Sequence, residues 1–98
     1  MNVNEMVEIY DGRGSMGGMF RYEKFITGTI VNVNEKSIRV HMTHVKCTTN
    51  GEITREYDID KTATFKFWKT VTIKLGKYAG KTVDIYKNME YGNIVFPH

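Results

Sequence analysis

The sequence predicts a small all-β domain, and three observations carry the prediction. Apolar residues alternate with polar residues in several short segments, which is the period of a half-buried strand. Hydrophobic residues make up 41% of the chain and include many β-branched and aromatic side chains, which favour strands. No segment of ten residues shows the period of a helix. Short strands closed by turn-forming residues are typical of a small barrel or a sandwich.

Length and composition predict one soluble domain, residues 1–98. A chain of 98 residues buries roughly 60–65% of its unfolded surface, which is enough for one modest core. No apolar run approaches the roughly 20 residues of a membrane helix, and the N-terminal segment has neither a basic region nor a signal cleavage site. The single cysteine, Cys47, has no partner for an internal disulfide, which favours a reducing compartment. We therefore expect a cytoplasmic protein that contacts no membrane.

The N-terminal half is organised around a central hairpin at residues 25–42. In this hairpin two β-branched runs flank the turn-forming residues 34–37. A first strand is expected at residues 6–10, and after a glycine-rich loop residues 19–25 extend the hairpin, with a kink at Gly28. An isolated hairpin is marginal in water, so the flanking strands must complete a sheet.

The segment after the hairpin predicts a bulge, a tight turn and another strand. The alternation changes phase at residues 43–44, which an extra bulge residue explains. Asn50-Gly51 is the strongest short hairpin signal in the chain. A strand with an acidic outer face is expected at residues 53–59. Residues 58–62 predict a short helical turn, with Asp60 as its cap.

The C-terminal part predicts one interrupted strand and a short hairpin. Apolar and polar side chains alternate over residues 64–75 except at Lys69, which predicts two strand pieces joined there by a bulge or bend. Residues 83–86 and 93–96 then predict two short strands around a turn.

The order of these elements resembles the SH3-like small barrels: a first strand, a long irregular loop, a central hairpin, an Asn-Gly turn, a strand, a short helical turn and a last strand. The resemblance covers residues 3–75 and implies that residues 76–98 form an added C-terminal hairpin. Residues 71–83, VTIKLGKYAGKTV, are also similar to the KOW element of ribosomal and transcription-factor barrels, whose Tyr-Ala-Gly-Lys segment turns between two strands and faces RNA. Here Thr82 and Val83 stand where that element has a second glycine.

Two glycine motifs lack the context that nucleotide binding requires. Gly12-x-Gly14-x-x-Gly17 matches the dinucleotide fingerprint, but a strand-like segment follows it where the fingerprint needs a helix. Gly80-Lys81-Thr82 matches the end of a phosphate-binding loop, but Gly76 lies one residue too close and a strand follows. We interpret the first motif as a mobile loop in which Arg13 closes over a partner. No cofactor is predicted.

Metal binding and catalysis are not predicted either. His41, His44 and Cys47 are spaced by three residues, which places neighbours on opposite faces of a strand, so the three converge on one ion only through a bulge. We interpret them as a core cysteine and two surface or half-buried histidines. The carboxylates of the strand at 53–59 form a solvated edge without the paired environments of a general acid and base. The chain is therefore expected not to be an enzyme.

Positive charge is concentrated in the C-terminal part of the chain. Residues 61–98 contain seven lysines against Asp84 and Glu90, whereas residues 1–60 contain seven Lys/Arg against nine Asp/Glu. A basic lobe of this kind is typical of proteins that bind a polyanion or an acidic protein surface. The alternative is that the lysines only solvate exposed sheet faces.

The candidate interface combines these lysines with aromatic residues. On one face of the interrupted strand Lys66, Trp68 and Lys74 are expected to project together, beside the turn at 76–81. Lysines neutralise phosphates, and an exposed aromatic ring is a platform for an unpaired base. The full predicted set is Lys66, Trp68, Lys74, Lys77, Tyr78 and Lys81, with Arg13 from the glycine-rich loop. A second interpretation of Trp68 stays open, in which it covers a small core formed with Tyr86, Tyr91 and Phe96.

The sequence thus leaves two hypotheses of function. The first is a binding module that contacts RNA or single-stranded DNA through the lysine and aromatic face. The second is a protein-binding module, which includes a small inhibitor encoded by a phage or plasmid that docks on a nucleic-acid enzyme, with Trp68 as the interface anchor. Salt dependence separates the two, because only binding to phosphates releases counterions.

Overall fold

The computed structural model describes residues 1–12, 21–77 and 79–97, and in these ranges the chain forms strands and turns without a helix. Six antiparallel strands form a closed ring. The all-β prediction is therefore confirmed. The strands are β1 (Met6–Asp11), β2 (Tyr22–Val33), β3 (Ser37–Thr49), β4 (Glu52–Thr72), β5 (Thr82–Asn88) and β6 (Gly92–Pro97).

Each strand pairs with the next one along the chain, and β6 returns to β1 through the pair Tyr10 and Asn93. Gly92, at the start of β6, has a φ of 123°, and a Cβ at this position would clash with the carbonyl oxygen of Tyr10. Only glycine lets the two strands approach so closely. The predicted C-terminal hairpin is present as β5 and β6, and it lies within the ring between β4 and β1.

The inward faces of all six strands supply one hydrophobic core. Phe65 is its largest fully buried side chain and pairs across the strands with Ile38. The alternation of apolar and polar residues turns one side of each strand inward, as the period of two requires. The side chains of the core with less than 2% of their surface exposed are Ile9, Ile26, Ile30, Ile38, Val40, Met42, Val45, Phe65 and Ile94.

The Asn50-Gly51 turn and three bulges lie where the sequence predicts them. Asn50 and Gly51 both have positive φ, 52° and 86°, which is the geometry that favours Asn-Gly between two strands. Register shifts occur between Thr27 and Gly28, between Met42 and His44, and between Phe67 and Lys69. Each of the three predicted interruptions of the strands is therefore confirmed.

The short helical turn predicted at residues 58–62 is wrong. These residues lie in the middle of β4, where Asp58 pairs with His44 and Thr62 pairs with His41 of β3. The ladder with β3 keeps this segment extended on both sides of a bulge, in which Ile59 and Asp60 lie opposite Thr43. The described residues consequently form fewer and longer strands than the turn signals predict.

Among the described residues, no helix is long or apolar enough to cross a bilayer.

Candidate nucleic-acid interface

Trp68 lies on the outer surface of the barrel, at the bulge that interrupts β4. The buried Phe65 fixes the inward face of the strand, so the alternation directs Lys66 outward and Phe67 inward. The register shift between Phe67 and Lys69 leaves Trp68 as the extra residue opposite β5. Its side chain is 49% exposed.

Two lysines hold their ammonium groups against this indole. The Nζ atom of Lys69 lies 4.0 Å from the centroid of the Trp68 ring, and that of Lys87, from β5, lies 4.5 Å from it. Lys66 pairs directly with Lys87 across the two strands, so both project from the same face. We call Lys66, Trp68, Lys69 and Lys87 the Trp68 platform. It combines an exposed aromatic surface with three positive charges.

The small aromatic cluster under the C-terminal hairpin contains Phe67 and does not depend on Trp68. The rings of Phe67 and Tyr86 lie 5.6 Å apart edge to face, and those of Tyr86 and Phe96 lie 5.5 Å apart in the same manner. Edge-to-face pairs of this kind are favourable because a positive ring edge meets a negative ring face. Since Phe67 fills the position that the sequence left open for Trp68, the indole remains at the surface.

The other residues of the predicted interface lie farther along the chain. Lys74, Lys77 and Lys81 are exposed in the segment that joins β4 to β5. Lys74 follows Trp68 by six residues, which is about 20 Å of extended chain. Arg13 and Tyr78 lie outside the described residues. The structure therefore brings Lys66 and Trp68 together, and it places the described lysines of the turn at the other end of the β4–β5 pair.

Sequence reasoning missed Lys87 as a site residue. Its charge was visible in the sequence, but its place beside Trp68 depends on the register of β4 against β5, in which Lys66 pairs with Lys87. Lys69 was visible as the residue that breaks the apolar alternation, and the bulge that this break predicts places it against the indole.

The other half of β4 carries a row of carboxylates that hold two histidines of β3. His44 bridges two of them, with Nδ1 2.8 Å from an Asp58 oxygen and Nε2 2.7 Å from a Glu56 oxygen. His41 Nε2 lies 2.6 Å from an Asp60 oxygen. Among the described residues there is no group of three or more metal-binding side chains arranged to hold an ion. β4 is thus acidic in its first half and basic in its second.

The His44 imidazole is expected to titrate above its ordinary value of about 6.5. Its hydrogen bond to Asp58 and then that to Glu56 raise its pKa, because both carboxylates favour the charged ring. Because the pKa is raised in the folded state, the charged ring stabilises the protein at pH values below the pKa of the unfolded state. This stabilisation is lost as the pH rises through the pKa of the folded state. NMR titration of the His44 ring checks this expectation.

Replacing both carboxylates, in an Asp58→Asn and Glu56→Gln double variant, is the control for this titration. The double variant is expected to return the pKa of His44 towards its ordinary value. A wild-type His44 that titrates at or below the ordinary value would show that the two carboxylates do not hold the ring in solution.

Comparisons with known proteins do not place this chain in a family. No family model, no curated protein and no solved structure matches it. Function is therefore argued from surface chemistry, and among the described residues the Trp68 platform combines a half-exposed indole with three lysines.

Proposed function

We propose that this chain is a cytoplasmic, non-enzymatic binding module that holds single-stranded nucleic acid, RNA or DNA, on the Trp68 platform. One observation carries the proposal: a half-exposed indole lies within 4.5 Å of two ammonium groups on the outer face of the barrel. A flat ring offers stacking to a base, and ammonium groups offer charge neutralisation to its phosphate.

The energies of the competing contacts favour a base on the indole. A lysine over an exposed tryptophan contributes about 0.5–1 kcal/mol. A nucleic-acid base stacked on the same ring contributes about 1–3 kcal/mol. A base therefore displaces Lys69 or Lys87 from the ring face. The displaced ammonium group stays on its strand, within reach of the phosphate next to that base, and its contact releases a counterion.

The remaining predicted residues extend this surface along β4 and β5. Lys74, Lys77 and Lys81 provide outlying charge at the turn between the two strands, as the resemblance to the KOW element implies for an RNA-facing turn. Tyr78 and Arg13 belong to the same proposal on sequence grounds. The assignment to an SH3-like barrel is likewise part of the proposal, supported by the small closed β-barrel.

The salt dependence of oligonucleotide binding tests this function. A fluorescent single-stranded oligonucleotide is titrated with the protein over a series of salt concentrations, and the affinity is read from the fluorescence anisotropy. The logarithm of the affinity is expected to fall linearly with the logarithm of the salt concentration, with a slope of about −0.7 for each neutralised phosphate. Lys87→Ala should make that slope shallower by about 0.7.

Arg55→Ala is the matched control, because Arg55 also lies over an aromatic ring, 4.7 Å from the centroid of Tyr57, but in the acidic half of β4. This variant removes the same charge and the same type of contact away from the platform, and it should leave the slope unchanged. Equal slopes for wild type and Lys87→Ala would show that Lys87 does not contact a phosphate. Absence of binding at low salt would contradict the proposal and favour the protein-binding hypothesis, with Trp68 as the anchor.

A further inference from the structure

Cross-strand pairing aligns the platform with a second aromatic site on the other side of the ring closure. Lys66 pairs with Lys87, Lys87 with Asn93, Asn93 with Tyr10, and Tyr10 with Phe25. Residues that pair directly across antiparallel strands share a face. These five residues therefore form one row on the outer surface, perpendicular to the strands, which we call the outer row.

The far end of the outer row is a second, preorganised aromatic surface. Tyr10 is 38% exposed, and its ring lies 5.4 Å from that of Phe25. The phenol oxygen donates a 2.8 Å hydrogen bond to Glu23, which also pairs with Arg21. These contacts, together with Gly12 against the ring, hold the ring in place and leave part of it open to solvent. It is therefore a second platform on which a base can stack.

The spacing of the two aromatic sites suits a short nucleic-acid strand. Neighbouring strands lie about 4.8 Å apart, so Trp68 on β4 and Tyr10 on β1 are about 14 Å apart and the whole row is about 19 Å long. Between them lies a cleft of about 300 Å³ that Tyr10, Lys87 and Asn93 help to line. The Asn93 amide offers both a donor and an acceptor, which is the chemistry that recognises the edge of a base.

The charge along the outer row sets a direction for the ligand. Lys66, Lys69 and Lys87 lie at the Trp68 end, whereas at the Tyr10 end Glu8 and Glu23 are balanced by Arg21 and Lys46. The Trp68 end carries the larger net positive charge and therefore favours phosphates, whereas the Tyr10 end favours a base. Both rings need a free base face, which an intact duplex does not offer because its bases stack on one another.

We propose that the ligand is a single-stranded segment of about four nucleotides that crosses β4, β5, β6 and β1, with one base on Trp68 and another on Tyr10. This inference rests on the proposed function, since it names the footprint of that same site. It adds Tyr10 as a binding residue and Asn93 as a contact between the two stacked bases.

Oligothymidylates of increasing length test the footprint, with lengths from one to roughly eight nucleotides to bracket the site size of a small barrel. The readouts are the fluorescence of Trp68 and the affinity at one fixed salt concentration. In wild type the affinity is expected to rise with length up to about four nucleotides and then to level off. In Tyr10→Ala the affinity for the tetranucleotide should fall by about 5- to 150-fold, and the rise should end at a shorter length.

Two further variants separate stacking from damage to β1. Tyr10→Phe keeps the ring and should retain most of the wild-type affinity, whereas Met6→Ala, at an exposed position of the same strand, should bind as wild type does. If Tyr10→Ala binds the tetranucleotide as tightly as wild type and the Trp68 fluorescence still responds, the second site is wrong and the Trp68 platform is retained. Absence of a Trp68 response at every length would overturn the platform as well.

Discussion

Replacing Phe65 by alanine is expected to lower the free energy of unfolding by about 3–5 kcal/mol. Phe65 has no exposed surface and pairs with Ile38 of β3. The pairing of β4 with β5 begins at the next residue, Lys66, which pairs with Lys87. Alanine would leave a cavity that the rigid ladders on both sides cannot fill. Small domains unfold with about 5–15 kcal/mol, so this loss is a large part of the total.

Urea denaturation followed by circular dichroism measures the loss, and Phe67→Ala is the matched control. Phe67 lies two residues farther along β4 and is 39% exposed, so the same truncation there should cost clearly less. Comparable losses at the two positions would show that Phe65 is not the centre of the core.

Replacing Trp68 by alanine is expected to have the opposite profile, with a large effect on binding and a small one on stability. A half-exposed side chain contributes little to the core, so the midpoint of urea denaturation should change little. The affinity for a single-stranded oligonucleotide should fall by about 1–3 kcal/mol, the contribution of one stacked base. Anisotropy titrations at one salt concentration check this, beside the denaturation curve of the same variant.

Trp68→Phe keeps an aromatic face of smaller area, and it should recover part of the lost affinity. A Trp68→Ala protein that binds as tightly as wild type would mean that the lysines alone account for binding. A Trp68→Ala protein that unfolds at much lower urea would mean that the indole is a structural residue.

Local signals in the sequence were sufficient for the Asn50-Gly51 turn and for three interruptions of the strands. The Asn50-Gly51 turn follows from the ability of both residues to adopt positive φ, and no distant contact is needed to predict it. The bulge beside Lys69 follows from a charged residue at an apolar position, because a core-facing lysine would have to be buried. Both features are determined within a few residues of the chain.

Features that depend on distant pairing were not predictable in the same manner. Residues 58–62 have polar residues and a cap that suit a helical turn, and only the ladder with β3 keeps them extended. The closure of the ring depends on the approach of Gly92 to Tyr10, which are far apart in the sequence. The local pattern identifies strands joined by a tight turn as neighbours, but it does not show which strands close the ring.

The candidate site shows the same division between local and distant information. Lys66 and Trp68 were predicted together because they are two residues apart on one strand. Lys87 joins them only through the register of β5, and Tyr10 joins the outer row only through the closure between β6 and β1. The choice between a buried and an exposed Trp68 depended on the bulge, which leaves Phe67 to fill the aromatic cluster.

Trp68 is the only tryptophan in the chain, so fluorescence excited selectively in tryptophan reports on the platform, whereas the six tyrosines do not contribute. The most direct measurement is therefore the emission of the wild-type protein during titration with an unlabelled single-stranded oligonucleotide at low salt. The emission should be quenched in proportion to binding as a base stacks on the indole, and added salt should restore it. An emission that stays constant while the oligonucleotide binds, or a protein that binds no oligonucleotide at all, would contradict the account.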